Sequence, residues 1–117
     1  MQLVEQATGQ LLLARLSVAN RFVSRAIGLL GRAALDPHEG LLFLRCRSLH
    51  TWFMRFTLDV VFLDDGWQVV EVHEAIAPFQ MVVCGHKGRV HALETAQGFI
   101  ARTGLRAGTR VRTDGDP

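Results

Sequence analysis

One apolar stretch of the sequence, SLHTWFMRFTLDVVFLDD from residue 48 to 65, contains the residue types that could perform chemistry. His50 could act as an acid or a base. Trp52 and Met54 could line a pocket at a loop mouth, where apolar walls and a few polar groups favour a ligand. Arg55 and Asp59 are ionisable groups among aromatic residues, and a buried charge needs a partner. A bend between these two residues would let them form a structural tether.

A cysteine and a histidine near the start of this stretch, Cys46 and His50, could be a nucleophile and its base. If the chain between them is extended, their Cα atoms lie about 13 Å apart, at ~3.3 Å per residue. The two groups of a dyad must come within hydrogen-bond reach, so this spacing disfavours a cysteine–histidine enzyme unless the chain bends near Ser48. An enzyme with His50 as acid or base, oriented by Asp59 and assisted by Arg55, remains open.

A second group of metal-ligating residue types is formed by Cys84, His86 and His91. Zinc sites usually have tighter ligand pairs, such as CxxC or HxxxH, so Cys-x-His followed by a distant histidine is a weak signal. We expect surface histidines here, with no metal and no cofactor. A metal protein that uses these three residues is kept as an alternative.

Composition and charge narrow the class of protein. A chain of 117 residues is expected to form one domain, residues 1–117, and 49% hydrophobic with 21% charged residues is typical of a globular protein. The formal net charge is only +2, and the basic residues are interleaved with acids. Nucleic-acid binding needs a concentrated basic stripe, so no nucleic-acid partner is expected.

The compartment is predicted from the cysteines and the apolar runs. Cys46 and Cys84 are too few for a disulfide scaffold and are expected to be reduced thiols. The first residues, MQLVEQATGQLLLARL, lack the basic region and the cleavage site of a signal peptide. No stretch approaches the ~18 apolar residues of a membrane span. These features predict a cytoplasmic protein with no membrane partner.

Short strands dominate the predicted secondary structure. Strands are expected over residues 11–16, 41–44, 49–53, 59–63, 67–72, 80–83, 89–93 and 109–112. Two short helices are expected, from about residue 19 or 20 to 30 and from 96 to 102, ending at Gly31 and Gly104. Without alternating βαβ units, the fold class is mainly β (α+β), an antiparallel sandwich or open barrel of short strands with two short helices.

Alternation within the central run indicates how it is buried. The even positions from 50 to 62 and the odd positions from 51 to 63 are both largely apolar. This pattern predicts either a strand that is buried on both faces or a break between Met54 and Leu58. Asp64-Asp65-Gly66 then predicts a tight hairpin turn into the next strand.

The run from Cys46 to Asp64, CRSLHTWFMRFTLDVVFLD, resembles the hallmark segment of the DUF192 family, which reads approximately C-x-x-I-H-T-x-F-M-R-F-P-I-D-V-x-F-L-D. RAIGLLGR at 25–32 is similar to the RxRGLMGR helix of that family, and EGLLF at 39–43 to its EGMLF strand. The resemblance extends through Leu93-Glu94 to Gly108, and it covers about residues 10–112. Thr57, Ile27 and Thr109 stand where the family usually has proline, arginine and aspartate.

DUF192 is a bacterial and archaeal domain of unknown function, so the resemblance implies a compact, mostly β domain but supplies no reaction. Our first hypothesis is a non-enzymatic module that binds a small ligand or a protein through the Met54–Asp59 bend and His50. The predicted binding residues are His50, Trp52, Met54, Arg55 and Asp59. The His50 enzyme and the metal protein are the alternatives.

Overall fold

Ten β-strands form most of the regular structure in the computed structural model, which describes residues 1–19, 35–51 and 54–115. In chain order they are β1 (Gln2–Glu5), β2 (Leu11–Leu13), β3 (Arg15–Ala19), β4 (Glu39–Phe43), β5 (Ser48–His50), β6 (Leu58–Asp64), β7 (Val69–Ile76), β8 (Met81–Val83), β9 (Val90–Ala96) and β10 (Val111–Asp114). One short helix, Phe99–Thr103, lies between β9 and β10 within these ranges. The predicted mainly β fold class is confirmed.

The strands form a central sheet with a smaller sheet beside each face. The central sheet has five strands in the order β3-β4-β9-β6-β7, and the second sheet has three strands in the order β10-β1-β2. The antiparallel pair β5-β8 forms a separate two-stranded ribbon. Apolar residues of the ribbon and of the three-stranded sheet belong to two different core clusters, so the central sheet is the middle layer.

The two core clusters explain why the central strands are apolar on both faces. Alternate β6 residues enter different clusters, with Val60 and Phe62 in one and Val61 and Leu63 in the other. We call the first the ribbon-side core, which includes Met54, Leu58, Val60, Phe62, Val82 and Ala92. We call the second the helix-side core, which includes Leu3, Leu13, Val61, Leu93, Phe99 and Ile100. Of the two predicted alternatives for the run, the break is the one observed: the chain bends at Phe56, between β5 and β6, and double burial is confined to β6.

Three features differ from the sequence-based expectations. The pair β3–β4 is parallel, because both strands run beside each other after a long connection, and the sheet is therefore not wholly antiparallel. Strand β1, which pairs with both β2 and β10, was not predicted. The predicted first helix and Gly31 fall outside the described residues.

The ends of the elements follow the turn and cap signals of the sequence. Asp64 begins the predicted turn, and its Oδ1 accepts hydrogen bonds from the amides of Gly66 and Gln68 at 2.9 and 3.0 Å. Gly104 ends the short helix with φ of 73°, a left-handed conformation that favours glycine. No helix in the described part of the chain is long and apolar enough to cross a membrane.

Gly40 lies where two layers approach most closely, and we expect Gly40→Ala to destabilise the fold. A Cβ atom there would lie 2.6 Å from Leu13 Cδ1 and 3.3 Å from the Glu94 carbonyl oxygen. Leu13 is fully buried in the helix-side core, so we expect the overpacking to cost about 1–3 kcal/mol of unfolding free energy. Denaturant melts measure this loss, with Gly66→Ala in the exposed turn as the control. Equal stability of the two variants would contradict the close approach.

Candidate functional site

The β5–β8 ribbon carries His50 to the surface of the protein. His50 lies opposite Met81 in the ribbon, and Ser48 lies opposite Val83. The His50 side chain is exposed, whereas Leu49 and Val82, at the intervening pair, face the ribbon-side core. Alternation along the two strands therefore separates an inward face that completes the core from an outward face that contains His50.

Exposed apolar side chains dominate this outward face. Phe79, Met81 and Val83 are 67%, 63% and 57% exposed. Because successive side chains of a strand point to opposite faces, Met81 and Val83 share one face of β8. Phe79 lies in the turn before β8, two residues ahead of Met81, with φ of 63°. We call this surface the ribbon patch, formed by Phe79, Met81 and Val83 with Ser48 and His50 on the paired strand. Apolar patches of this kind mark interaction surfaces in many proteins.

Backbone hydrogen bonds around Thr51 fix the chain at the end of the patch. Thr51 is buried, and its Oγ1 donates to the Ala77 carbonyl at 2.6 Å while it accepts from the Gln80 amide at 2.9 Å. The Phe79 amide donates to the Thr51 carbonyl at 3.0 Å. The position of Phe79 beside β5 is thus set by a polar side chain that the sequence analysis did not single out.

Arg47 fixes the other end of the ribbon. Its guanidinium donates to the carbonyl of Cys84 at 3.0 Å and also to the carbonyls of His86 and Gly88. The Cys84 amide in turn donates to the Arg47 carbonyl at 2.8 Å. One side chain therefore binds three carbonyls of the turn that follows β8, and the ribbon is held at both ends.

The structure separates the other residues predicted to bind a ligand. Met54 is buried in the ribbon-side core, whereas Arg55 is exposed. Asp59 lies in β6 at the parity of Val61, which faces the helix-side core. Met54 and Asp59 therefore lie towards opposite faces of the central sheet. Trp52 falls outside the described residues.

Asp59 holds three backbone amides from two other elements. The residue is 1% exposed, and its Oδ1 accepts from the Ala75 amide at 2.9 Å. Its Oδ2 accepts from the amides of Gly98 and Ile100 at 3.2 and 3.0 Å, which places the carboxylate at the start of the short helix. Gly98 has no side chain that could cap this helix, so a carboxylate from a neighbouring strand does so.

The predicted Arg55–Asp59 tether is wrong. The Asp59 carboxylate is buried with backbone amides as its partners, and the Arg55 side chain is in solvent. A buried acid does need a partner, and Asp59 has three. The partners are amide groups, which no side-chain pattern can indicate.

In each of the two proposed catalytic arrangements, one residue has a different partner. Asp59 was expected to orient His50, but its carboxylate is occupied by the three amides on the helix side of the sheet. Cys46 is buried and its Sγ donates to the Ser48 carbonyl at 3.1 Å, while His50 is exposed. Both cysteines are free thiols, as predicted.

The three candidate metal ligands do not converge. His91 is buried, and its Nδ1 accepts from the Arg45 amide at 2.9 Å, so Nε2 carries the proton that bonds Asp65 Oδ1 at 2.8 Å. His86 is exposed, and burial raises the pKa of the Cys84 thiol. Among residues 1–19, 35–51 and 54–115, no three histidine, cysteine or acidic side chains are grouped to hold a metal ion.

A buried acid that the sequence analysis missed lies in the middle of β9. Glu94 is 7% exposed, and burial raises the pKa of its carboxyl to about 7. The register places it between Leu41 of β4 and Val60 of β6. In the sequence, Glu94 directly follows the apolar segment VHAL. The strand was predicted to end at Leu93, so Glu94 was expected to lie in a solvated loop.

We expect Asp59→Ala to be strongly destabilising and Arg55→Ala to be nearly neutral. The first change leaves three amides without their acceptor, which costs on the order of 3 kcal/mol or more of unfolding free energy. The second removes an exposed side chain, which costs within about 0.5 kcal/mol. Denaturant melts of both variants and of the double variant measure the losses. If the loss in the double variant differed from the sum of the two single losses, the residues would be coupled, and this result would support the Arg55–Asp59 tether.

The buried Glu94 carboxyl should make stability depend on pH. The folded state raises the pKa of Glu94 from an ordinary value of 4.5 to about 7, so it retains a proton that the unfolded state releases. This contribution to stability is present below about pH 4.5 and is lost as the pH rises through about 7, in total about 3 kcal/mol. Glu94→Gln removes this dependence.

Melts of the wild type and Glu94→Gln at several pH values between about 4 and 8 measure the effect. The matched control is Glu74→Gln, which changes an exposed glutamate of β7 and should follow the wild type across this range. A constant difference in unfolding free energy between wild type and Glu94→Gln would contradict the burial of an ionisable carboxyl.

The sequence and the fold are both similar to those of known proteins. Residues 3–113 match the model of the DUF192 family, described as "Uncharacterized ACR". The UPF0127 protein PH1112 of Pyrococcus horikoshii is 31% identical over 88 residues, which are 70% of this chain and 72% of that protein.

Two crystal structures have the same fold. A protein of unknown function from Novosphingobium aromaticivorans matches with a TM-score of 0.82 and 21% identity, over 97% of this chain and 84% of that chain. A putative transcription regulator from Sinorhizobium meliloti matches with a TM-score of 0.78 and 24% identity, over 95% and 89%. At these identities the two structures support the fold alone. The family match covers nearly the whole chain, and the chain belongs to the DUF192 family.

Proposed function

We propose that the protein is a non-enzymatic binding module that holds another protein on the ribbon patch, with His50 at the edge of the contact. The observation that carries this proposal is the exposure of three large apolar side chains at the ribbon: Met81 and Val83 on the outward face of β8, and Phe79 in the turn before it, each more than half exposed. Burying such side chains against a partner removes apolar surface from water, which is the main driving force of protein association.

The charges beside the patch indicate the chemistry of the partner. Lys87 follows β8 and is an exposed cation, and Arg55 is a further exposed cation near β5 in the sequence. Cations at the polar rim of an apolar contact favour acidic residues on the partner. We therefore propose a partner surface or segment with apolar side chains and acidic residues beside them.

Four of the five residues predicted from the sequence lie among the described residues. His50 belongs to the ribbon patch, and Arg55 is an exposed residue five positions after it in the sequence. Met54 and Asp59 support the surface from within, since both are buried. A small ligand at the same surface is the alternative, but the outward face of a two-stranded ribbon offers a large partner more contact than it offers a small molecule.

We also propose that the whole chain acts as a single binding domain. Its radius of gyration is 12.9 Å, close to the value of about 13 Å expected for a compact domain of this length. An enzyme that uses His50 is less well supported, because the Asp59 carboxylate is committed to backbone amides.

The proposal is tested with a phage-displayed library of random peptides, selected on the immobilised protein. We expect the selected peptides to be apolar and acidic, and to shift the amide resonances of β5 and β8 in titrations. Met81→Ser and Val83→Ser should each weaken binding of a selected peptide about tenfold, which is about 1.4 kcal/mol.

Leu11→Ser is the matched control, because Leu11 is a 48% exposed apolar residue on the three-stranded sheet. It should leave the affinity for the peptide unchanged. Peptides that bind away from the ribbon, an equal loss in the Leu11 variant, or no selected peptide at all would refute the proposal.

A further inference from the structure

Strand β8 has an outer edge, on the side away from β5, besides its outward face. Two hydrogen bonds at the ends of the ribbon show which residues of β8 bond to β5. The Thr51 amide donates to the Gln80 carbonyl at 2.8 Å. The Cys84 amide donates to the Arg47 carbonyl, also at 2.8 Å. Antiparallel ladders alternate hydrogen-bonded pairs with pairs that exchange no hydrogen bond, so these two contacts define the whole ladder.

Met81 and Val83 belong to the pairs that exchange no hydrogen bond, since they lie opposite His50 and Ser48. Their amides and carbonyls therefore point away from β5, along the outer edge of β8. Within residues 1–19, 35–51 and 54–115, no strand pairs with this edge, and neither amide donates to a group of another element. The same two residues thus present both exposed apolar side chains and open backbone groups.

The opposite edge of the ribbon, along β5, is less available. The Ser48 carbonyl points away from β8 and accepts a hydrogen bond from the Cys46 thiol at 3.1 Å. Strand β8, with the sequence MVV, contains neither the charged residue nor the proline that commonly protects an edge strand. An added strand therefore fits the edge of β8 better than the edge of β5.

We propose that the partner of the ribbon patch binds as an extended segment, which adds an antiparallel strand to the outer edge of β8. This inference rests on the proposed function, because it states how the partner is held at that surface. The backbone groups of Met81 and Val83 supply the hydrogen bonds, and alternate apolar side chains of the segment contact the two exposed side chains. A helical segment has already paired its own backbone groups and would leave this edge open.

The turn that follows β8 supplies the charge that orients the segment. Lys87 is exposed there, and the Arg47 guanidinium binds carbonyls of the same turn. The Glu71 carboxylate accepts from the Gly85 amide of this turn and is also paired with His73. The four residues before β8 carry no charge. The N-terminal end of an antiparallel segment lies beside the cationic turn, so we expect an acidic residue before the apolar ones.

The test uses the full chain and a synthetic peptide, Asp-Asp-Val-Thr-Val-Thr-Val, acetylated and amidated, with amide hydrogen exchange as the readout. With excess peptide, the amides of Met81 and Val83 should exchange about tenfold more slowly, because they gain acceptors. The Ser48 amide, on the opposite edge, is the internal control and should not change. No slowing at any soluble concentration of peptide would overturn the added strand.

That failure would differ from a failure of the proposed function. The phage selection does not depend on the conformation of the peptide, so it would still yield binders of the ribbon patch if they were held by side chains alone.

Peptides with one N-methyl group at a time test the backbone contact without altering the protein. Methylation should weaken binding about tenfold at the alternate positions whose amides face β8. At the intervening positions, whose amides face solvent, it should have little effect. Equal effects at both sets of positions would overturn the proposal, because a peptide that is held by its side chains shows no such alternation.

The orientation is tested with Lys87→Gln, which should weaken binding of the peptide about threefold. Arg106→Gln is the matched control, because Arg106 is an exposed cation that follows the short helix, and it should leave the affinity unchanged. Equal affinities of the two variants would overturn the acidic end of the segment.

A second copy of the chain is the other possible occupant of this edge. Slow exchange of the Met81 and Val83 amides without peptide would overturn the proposal. A dimer mass in sedimentation under the same conditions would then assign the edge to a second copy. We expect rapid exchange of both amides and the mass of a monomer.

Discussion

The contact between the Asp59 carboxylate and three backbone amides joins parts of the protein that are distant in the sequence. Asp59 lies in β6, Ala75 lies in β7, and Gly98 and Ile100 lie at the start of the short helix. Ala75 has φ of 54°, and the β6–β7 register shifts beside it, so the carboxylate also accommodates a bulge. An ionised acceptor that satisfies several donors is among the stronger polar interactions available to a folded chain. The helix and the bulge are placed by this one side chain.

A central sheet with two buried faces is the second constraint on the architecture. The inner strands of such a sheet supply apolar side chains at most positions, as β6 and β9 do. The exceptions differ in kind. Asp59 and Thr95, which face each other in the register, are polar residues with partners in the protein. Glu94 faces the other side, between Leu41 and Val60 of the neighbouring strands. Because β6 and β9 bury so few polar side chains, each of these side chains differs clearly from its surroundings.

Strand burial and turn chemistry could be predicted from the sequence because their signals are local. Two-face alternation predicted the double burial of β6, and Asp64-Asp65-Gly66 predicted the hairpin. The partners of Asp59 could not be predicted, since backbone amides have the same chemistry at every residue except proline. The exposure of Met81 and Val83 could not be predicted either, because the residue type does not indicate whether an apolar side chain faces the core or water. Glu94 was missed because its strand extends three residues beyond the predicted end.

The binding of three carbonyls by Arg47 has a consequence for the speed of recognition. A two-stranded ribbon alone is marginally stable in water, and its ends would fray. The Arg47 guanidinium binds the turn after β8, and Thr51 binds the chain at the opposite end. The ribbon is therefore held in shape at both ends without a partner. A preformed surface loses little conformational entropy on contact, so encounters need not wait for a rearrangement. If the ribbon patch binds a partner as proposed, the exchange of that partner is governed by how quickly the complex separates.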